Sequence, residues 1–237
     1  MENIMALPSL SAPEFLAKVP STGEEIKYRP FLVKEEKILL MALEGNDQKE
    51  ITNAIMKILG NCILSDVELD KLATFDVEYL FLKLRGKSVG EVIELKIGHS
   101  NSDNPCQHRT EIELNIDDIE VVGDLPSDKI QLDDSIGVKL RFAGMKDIGS
   151  VDTDSSSDLF NMIAGCIEYV YDEENVYGEF TRKEMEQWLE QLSSEQFAKI
   201  TEFFNNAPKL QHVVKWKCPE CGEEDEMILE GLAAFFT

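Results

Sequence analysis

Cys218 and Cys221 lie three positions apart in the run WKCPECGEEDEM, with Pro219 after the first and Gly222 after the second. This spacing suits a knuckle: two thiolates share one tight turn, backbone N–H groups face the sulfurs, and the glycine can take a positive φ. A structural zinc takes four ligands, and neither Cys nor His follows Cys221. The other cluster of soft donors is in NPCQHRTEIEL, which holds Cys106 and His108, with His99 on the preceding strand. Two arrangements fit. Cys106 and His108 can complete one Cys3His site with Cys218 and Cys221, clamping two hairpins together. Alternatively each hairpin has its own site, the first reduced to His99, Cys106 and His108. The non-metal reading is a set of free thiols on a polar tip, where they would be open to oxidation. A redox pair would sit at a helix N-terminus, whereas the residues after Cys221 are acidic and strand-like. Cys62 and Cys166 fall on apolar helix faces as small hydrophobes, and His212 reads as a strand residue.

Little else in the chain offers chemistry. It has three histidines, none beside a Ser or Cys nucleophile motif, and neither G-x-x-x-x-G-K-[ST] nor G-x-G-x-x-G occurs. The acidic runs DDSIG and VDTDSSSD lack the Gly and Glu of a calcium loop. No catalytic residue is expected. Lys+Arg number 23 against 46 Asp+Glu, a net charge of -23, which repels phosphate backbones and argues against nucleic acid as partner. No apolar run approaches the roughly 20 residues needed to span a bilayer. The start, MENIMALPSLSAPEF, lacks the features of a secretory signal. An odd count of five cysteines then points to reduced thiols in a cytosol.

The elements that must position these donors follow from periodicity. Residues 1–25, rich in Pro and Ser, read as an extended, loosely ordered arm. EEIKYRPFLV reads as a strand ended on an edge by Pro30. KEEKILLMALEG is a helix with Ile38, Met41 and Ala42 on one face, and DQKEITNAIMKILGNCI a second, N-capped by Asp47. FDVEYLFLKLRGKSVG is a third helix. VIELKIGH and RTEIELNI switch to period two and form a hairpin around SNSDNPCQH. After a Gly/Pro/acid junction near residues 123–128 comes the strand GVKLRFAG. A helix follows that carries Leu159, Ile163, Cys166 and Ile167 inward. Two further helices have the capping boxes Thr181-x-x-Glu184 and Ser193-x-x-Gln196. A last hairpin holds the C-x-x-C, and an apolar tail, LEGLAAFF, ends the chain.

The order strand, helices, hairpin occurs twice. Lys27-Tyr28-Arg29 parallels Lys139-Leu140-Arg141, Cys62-Ile63 parallels Cys166-Ile167, and each hairpin has a cysteine at its tip. The expected fold is α+β and mainly helical, with two pseudo-repeated halves, residues 26–123 and 124–237, in one compact unit. Each half carries a small antiparallel hairpin, and the C-terminal one resembles a zinc knuckle.

Three blocks in this order, YRPFLVKEEKILLMA, YLFLKLRGKSVGE and KCPECGEEDEMILEGLAAFF, resemble the baseplate hub assembly proteins of T4-type tailed bacteriophages. The resemblance runs from about Leu7 to Phe236. It implies a non-enzymatic protein, either a chaperone-like factor or a minor hub component. Its partners would be other phage baseplate hub proteins, met in the cytoplasm of the infected host during assembly; a minor hub component would also stay in the virion tail, a chaperone-like factor would not. In the first hairpin the chain departs from the family pattern, which pairs cysteines there; here only Cys106 stands. Expected partner contacts are the edge strip Tyr28, Arg29, Pro30 and Phe31, the basic turn at Arg85, and the tail residues Phe235 and Phe236. The competing readings are ordinary packing for the strip and tail, and helix C-terminal charge for Arg85. The rival function is a zinc-ribbon recruitment or transcription factor, which the net charge opposes; a metal-dependent hydrolase is another, which would need an open zinc position beside a carboxylate base.

Overall fold

The computed structural model describes residues 11–45, 47–99, 106–148 and 156–235. β1 (Phe15–Lys18) and β2 (Glu25–Tyr28) pair antiparallel, so the expected arm is ordered from Phe15 onward. Alternation along β2 turns Ile26 and Tyr28 into the core and leaves Glu25 and Lys27 outside. Two helices follow, α1 (Val33–Gly45) and α2 (Gln48–Cys62). The Asp47 carboxylate accepts from the N–H groups of Lys49 and Glu50 and caps α2. On α1 the inward face is narrower than the sequence suggests: Ala42 is buried and Ile38 half-buried, but Met41 is 62% exposed.

α3 (Thr74–Val89) is the central element, buried on most sides through Phe75, Val77, Leu80, Phe81, Leu82 and Leu84. Its first turn is held by Asp76, whose carboxylate accepts from the Ala73 N–H and from both the N–H and the hydroxyl of Ser21. Beyond α3, β3 (Val92–Ile97) and β4 (Thr110–Asn115) form the first hairpin, with Ile93, Leu95 and Ile97 inward at every second residue.

β5 (Glu120–Val122) joins the C-terminal sheet, and β6 (Lys129–Gln131) pairs with β7 (Gly137–Leu140). A short turn, α4 (Met145–Ile148), precedes α5 (Ser156–Cys166). Here the expectation fails: the helix stops at Cys166, and Ile167 begins β8 (Ile167–Tyr171), which pairs with β7 and with β9 (Val176–Tyr177). The β-branched and aromatic run IEYVY prefers the pleated surface that β7 offers. α6 (Arg182–Leu189) and α7 (Ser194–Asn205) carry the two expected capping boxes on Thr181 and Ser193. β10 (Lys209–Lys217) and β11 (Glu224–Glu230) form the last hairpin, with β5 on the far edge of β10. A 3-10 turn, Leu232–Phe235, closes the described chain. With 41% helix and 26% strand, the fold is α+β, and "mainly helical" overstates its helix content. No helix among the described residues is long and apolar enough to cross a membrane.

Two hydrophobic cores result, and they do not follow the chain midpoint. One gathers β1 to β4, α2 and α3 together with Leu210, Val214, Trp216, Leu229, Leu232 and Phe235 from the last hairpin and tail. The other contains β7, β8, α5, α6 and α7. Phe142, packed against the second core, links it to α3: its ring is 5.2 Å from that of Phe75 in an edge contact and 4.9 Å from that of Phe203 in a stack.

Arg29 and Arg141 occupy matching posts just beyond β2 and β7. Their N–H groups donate to the carbonyls of Cys62 and Cys166, each at 2.9 Å. The Arg29 guanidinium donates to the carbonyls of Pro30 and Asn61 and to the Glu35 carboxylate. That of Arg141 donates to the carbonyls of Phe142 and Gly165 and to the Asp147 carboxylate. Each carboxylate also accepts from the N–H three residues before it, Leu32 at 2.9 Å and Gly144 at 2.8 Å. The two sets use the same kinds of partner at the same offsets, although Arg141 grips Asp147 with two bonds and Arg29 grips Glu35 with one.

Candidate metal centre

The open ends of the two hairpins meet. His99 follows β3, Cys106 precedes β4, Cys218 follows β10 and Cys221 precedes β11, and one donor atom from each lies within 4.8 Å of every other. The Cys106 and Cys218 sulfurs are 3.9 Å apart, and the Cys221 sulfur is 3.4 Å from His99 Nε2. All five cysteines are free thiols.

The local backbone prepares each seat. The Cys218 N–H donates to the Glu223 carbonyl and the Gly222 N–H to the Cys218 carbonyl, which closes the turn. Gly222 sits at φ 75, where a side chain would be strained. The N–H groups of Cys221 and Glu220 point at the Cys218 sulfur. With the neighbouring His99 ring and Cys221 thiol, they draw that thiol down to about 6 against the opposing effect of burial. At Cys106 the His108 N–H pulls the thiol down, but burial and the sulfurs of Cys218 and Cys221 together push it up. Its bond to Cys218, set against burial, and its further bond to Asp225 raise His99. Asp225 faces His99 Nδ1 at 3.3 Å, which leaves Nε2 turned toward the sulfurs.

The structure therefore brings Cys106, Cys218 and Cys221 together and sets His99 beside them. His108 contributes its backbone N–H to Cys106, and its side chain is exposed outside the group. Both residues lie in the loop before β4, where the His108 backbone faces the Cys106 sulfur and its side chain turns out to solvent. The signal for His99 was its place at the end of a strand whose inward residues are Ile93, Leu95 and Ile97. The cluster of one imidazole and three sulfurs can hold a metal ion.

The expected contact residues are placed differently. Tyr28, Pro30 and Phe31 are buried, and Arg29 is spent on the bonds described above. Arg85 is half-buried, and loss of hydration lowers its pKa. Phe235 is fully buried, and Phe236 lies outside the described residues. The Leu232 N–H donates to Glu78 of α3, which ties the tail down. Exposed apolar residues are spread over several elements, and five of them fall on and just before α1: Leu32, Val33, Leu40, Met41 and Leu43. An apolar groove of about 420 Å³ between β8 and α6 is lined by Val170, Tyr177, Phe180, Met185 and Trp188. The Asp172 carboxylate at its edge already accepts from the Tyr177 hydroxyl and two backbone N–H groups.

The sequence matches the family of the T4 bacteriophage base plate protein over residues 12–237. The chain belongs to that family. It is 26% identical over 213 residues to the baseplate hub assembly protein gp26 of Enterobacteria phage T4, covering 89% of this chain and 92% of the relative. No solved structure matches it.

Proposed function

We propose that this protein is a non-enzymatic assembly factor or minor component of a phage tail baseplate hub, working by contact with other hub proteins while the tail is built in the host cytoplasm. The observation that carries this reading is its family membership over nearly its whole length, with a relative named for hub assembly. The architecture agrees with it. The polar clusters are used to hold loops and helix ends, and the soft donors meet at a hairpin junction rather than in a cleft. The exposed apolar residues along α1, Val33, Leu40, Met41 and Leu43, suit a protein partner, since exposed apolar patches are common anchors of interfaces. The matched bonds of Arg29 and Arg141 favour an origin of the two halves from one repeated unit.

The test is co-expression with the hub proteins of the same phage, followed by affinity capture. At least one hub protein should copurify or become more soluble, and Leu40→Glu with Met41→Glu should weaken that association while leaving thermal stability within a few degrees. If no hub protein associates or changes its solubility, the assembly reading fails.

A further inference from the structure

We propose that His99, Cys106, Cys218 and Cys221 form one closed, tetrahedral zinc site that fastens the two hairpin tips to each other. The inference goes beyond the assembly role and stands without it. Its first support is spacing. Four ligands around zinc, with sulfur at about 2.3 Å and nitrogen at about 2.0–2.1 Å, place two sulfurs about 3.8 Å apart and a sulfur and nitrogen about 3.5 Å apart. The pairs Cys106–Cys218 and Cys221–His99 stand at 3.9 and 3.4 Å. A disulfide would bring sulfurs to about 2.05 Å.

The donor set selects the metal. Three thiolates and an imidazole in tetrahedral array suit zinc, whereas magnesium and calcium want oxygen. Asp225 supplies the outer partner that metal-bound histidines commonly have: it holds Nδ1, fixes the ring and presents Nε2 to the metal. The N–H groups of Cys221, Glu220 and His108 face the sulfurs, as in zinc knuckles. With four protein ligands there is no position for water, so the site is structural and has no role as a Lewis acid.

Its mechanical effect follows from sequence distance. Cys106 and Cys218 are separated by 112 positions, and Cys221 and His99 by 122. Neither half can close the site alone. The metal therefore joins the end of the first hairpin to the end of the second, beyond the reach of the apolar core that Leu95 and Trp216 share.

The experiment measures zinc in the protein purified without metal-chelating tags, together with the spectrum after cobalt replacement. One zinc per chain and a tetrahedral thiolate cobalt spectrum are expected. Cys106→Ser and Cys218→Ser should each strip most of the zinc, Asp225→Asn should weaken binding about 10-fold, and His108→Ala should retain it. Undiminished zinc in Cys106→Ser would confine the metal to the second hairpin and overturn the shared site; absence of zinc, or iron in its place, would overturn it outright. Should the variants misfold, alkylation of the wild type decides. Cys221 is exposed, so as a free thiol it would react at once, and as a zinc ligand only after chelator is added. Immediate reaction in the untreated protein ends the proposal.

Discussion

At the scale of single residues, the decisive interactions are charges taken out of water with their partners. Glu35 is fully buried, and burial raises its pKa, but the Arg29 guanidinium, the Leu32 N–H and the Lys34 ammonium outweigh that and hold it below the usual range. Asp147 repeats the arrangement: burial pushes up, while Arg141 and the Gly144 N–H pull further down. Arg29→Met would leave the buried carboxylate with only the exposed Lys34 ammonium as counter-charge, at a cost of about 3 kcal/mol. The double variant Arg29→Met/Glu35→Gln should cost less than the single one, which urea unfolding at neutral pH would show. The pH dependence has a definite sign. Because both folded carboxyls lie below their unfolded values, about 4.3 for Glu and about 3.9 for Asp, their contribution is complete above those values. It is lost as pH falls through the lower folded ones. Urea midpoints of the wild type should therefore drop below about pH 4, and Glu35→Gln should flatten that fall. An unchanged acid slope would mean that Glu35 is not held as described.

At the scale of elements, the caps act locally and can be removed one at a time. Thr181 and Glu184 bond reciprocally at the start of α6, and Ser193 and Gln196 do the same at α7. Thr181→Ala or Ser193→Ala should each cost about 1 kcal/mol, a shift of about 2–4 °C in a chain of this size. Thermal melts followed by circular dichroism would register it. These caps were legible in the sequence because a capping box lies within four residues and answers to nothing distant. The strand β8 was not. Its start continues the apolar period of α5 through Cys166, and only pairing with β7 makes Ile167 the first residue of a strand. The outward turn of Met41 on α1 was hidden for a related reason: periodicity finds a stripe, but the neighbours decide how wide a stripe is covered.

At the scale of the whole molecule, the two cores are coupled through Phe142, and each contains one of the chain's two tryptophans. Trp216 packs in the first core and Trp188 against the second. In Trp188→Phe and Trp216→Phe backgrounds, urea unfolding should give coincident fluorescence midpoints, because the ring contacts from Phe75 of α3 through Phe142 to Phe203 tie α3 to the second core. Phe142→Ala should cost about 3 kcal/mol, near the low end for a core phenylalanine because the ring is only partly buried. It should also separate the two midpoints. Midpoints that stay together in that variant would place the coupling elsewhere.

The sequence by itself determined the locally encoded features: the helix caps, the alternating hairpins, the cysteine turn at Cys218 and Cys221, and the family to which the chain belongs. Each depends on residues a few positions apart, or on motifs kept in order along the chain. The tertiary structure alone decided that His99 stands with Cys106 where His108 was expected, that Tyr28 to Phe31 face inward, and that the last hairpin completes the first core. Those outcomes depend on which faces meet across more than 100 positions of chain. Burial of apolar surface and the closing of long loops settle that, and neither leaves a short-range mark in the sequence.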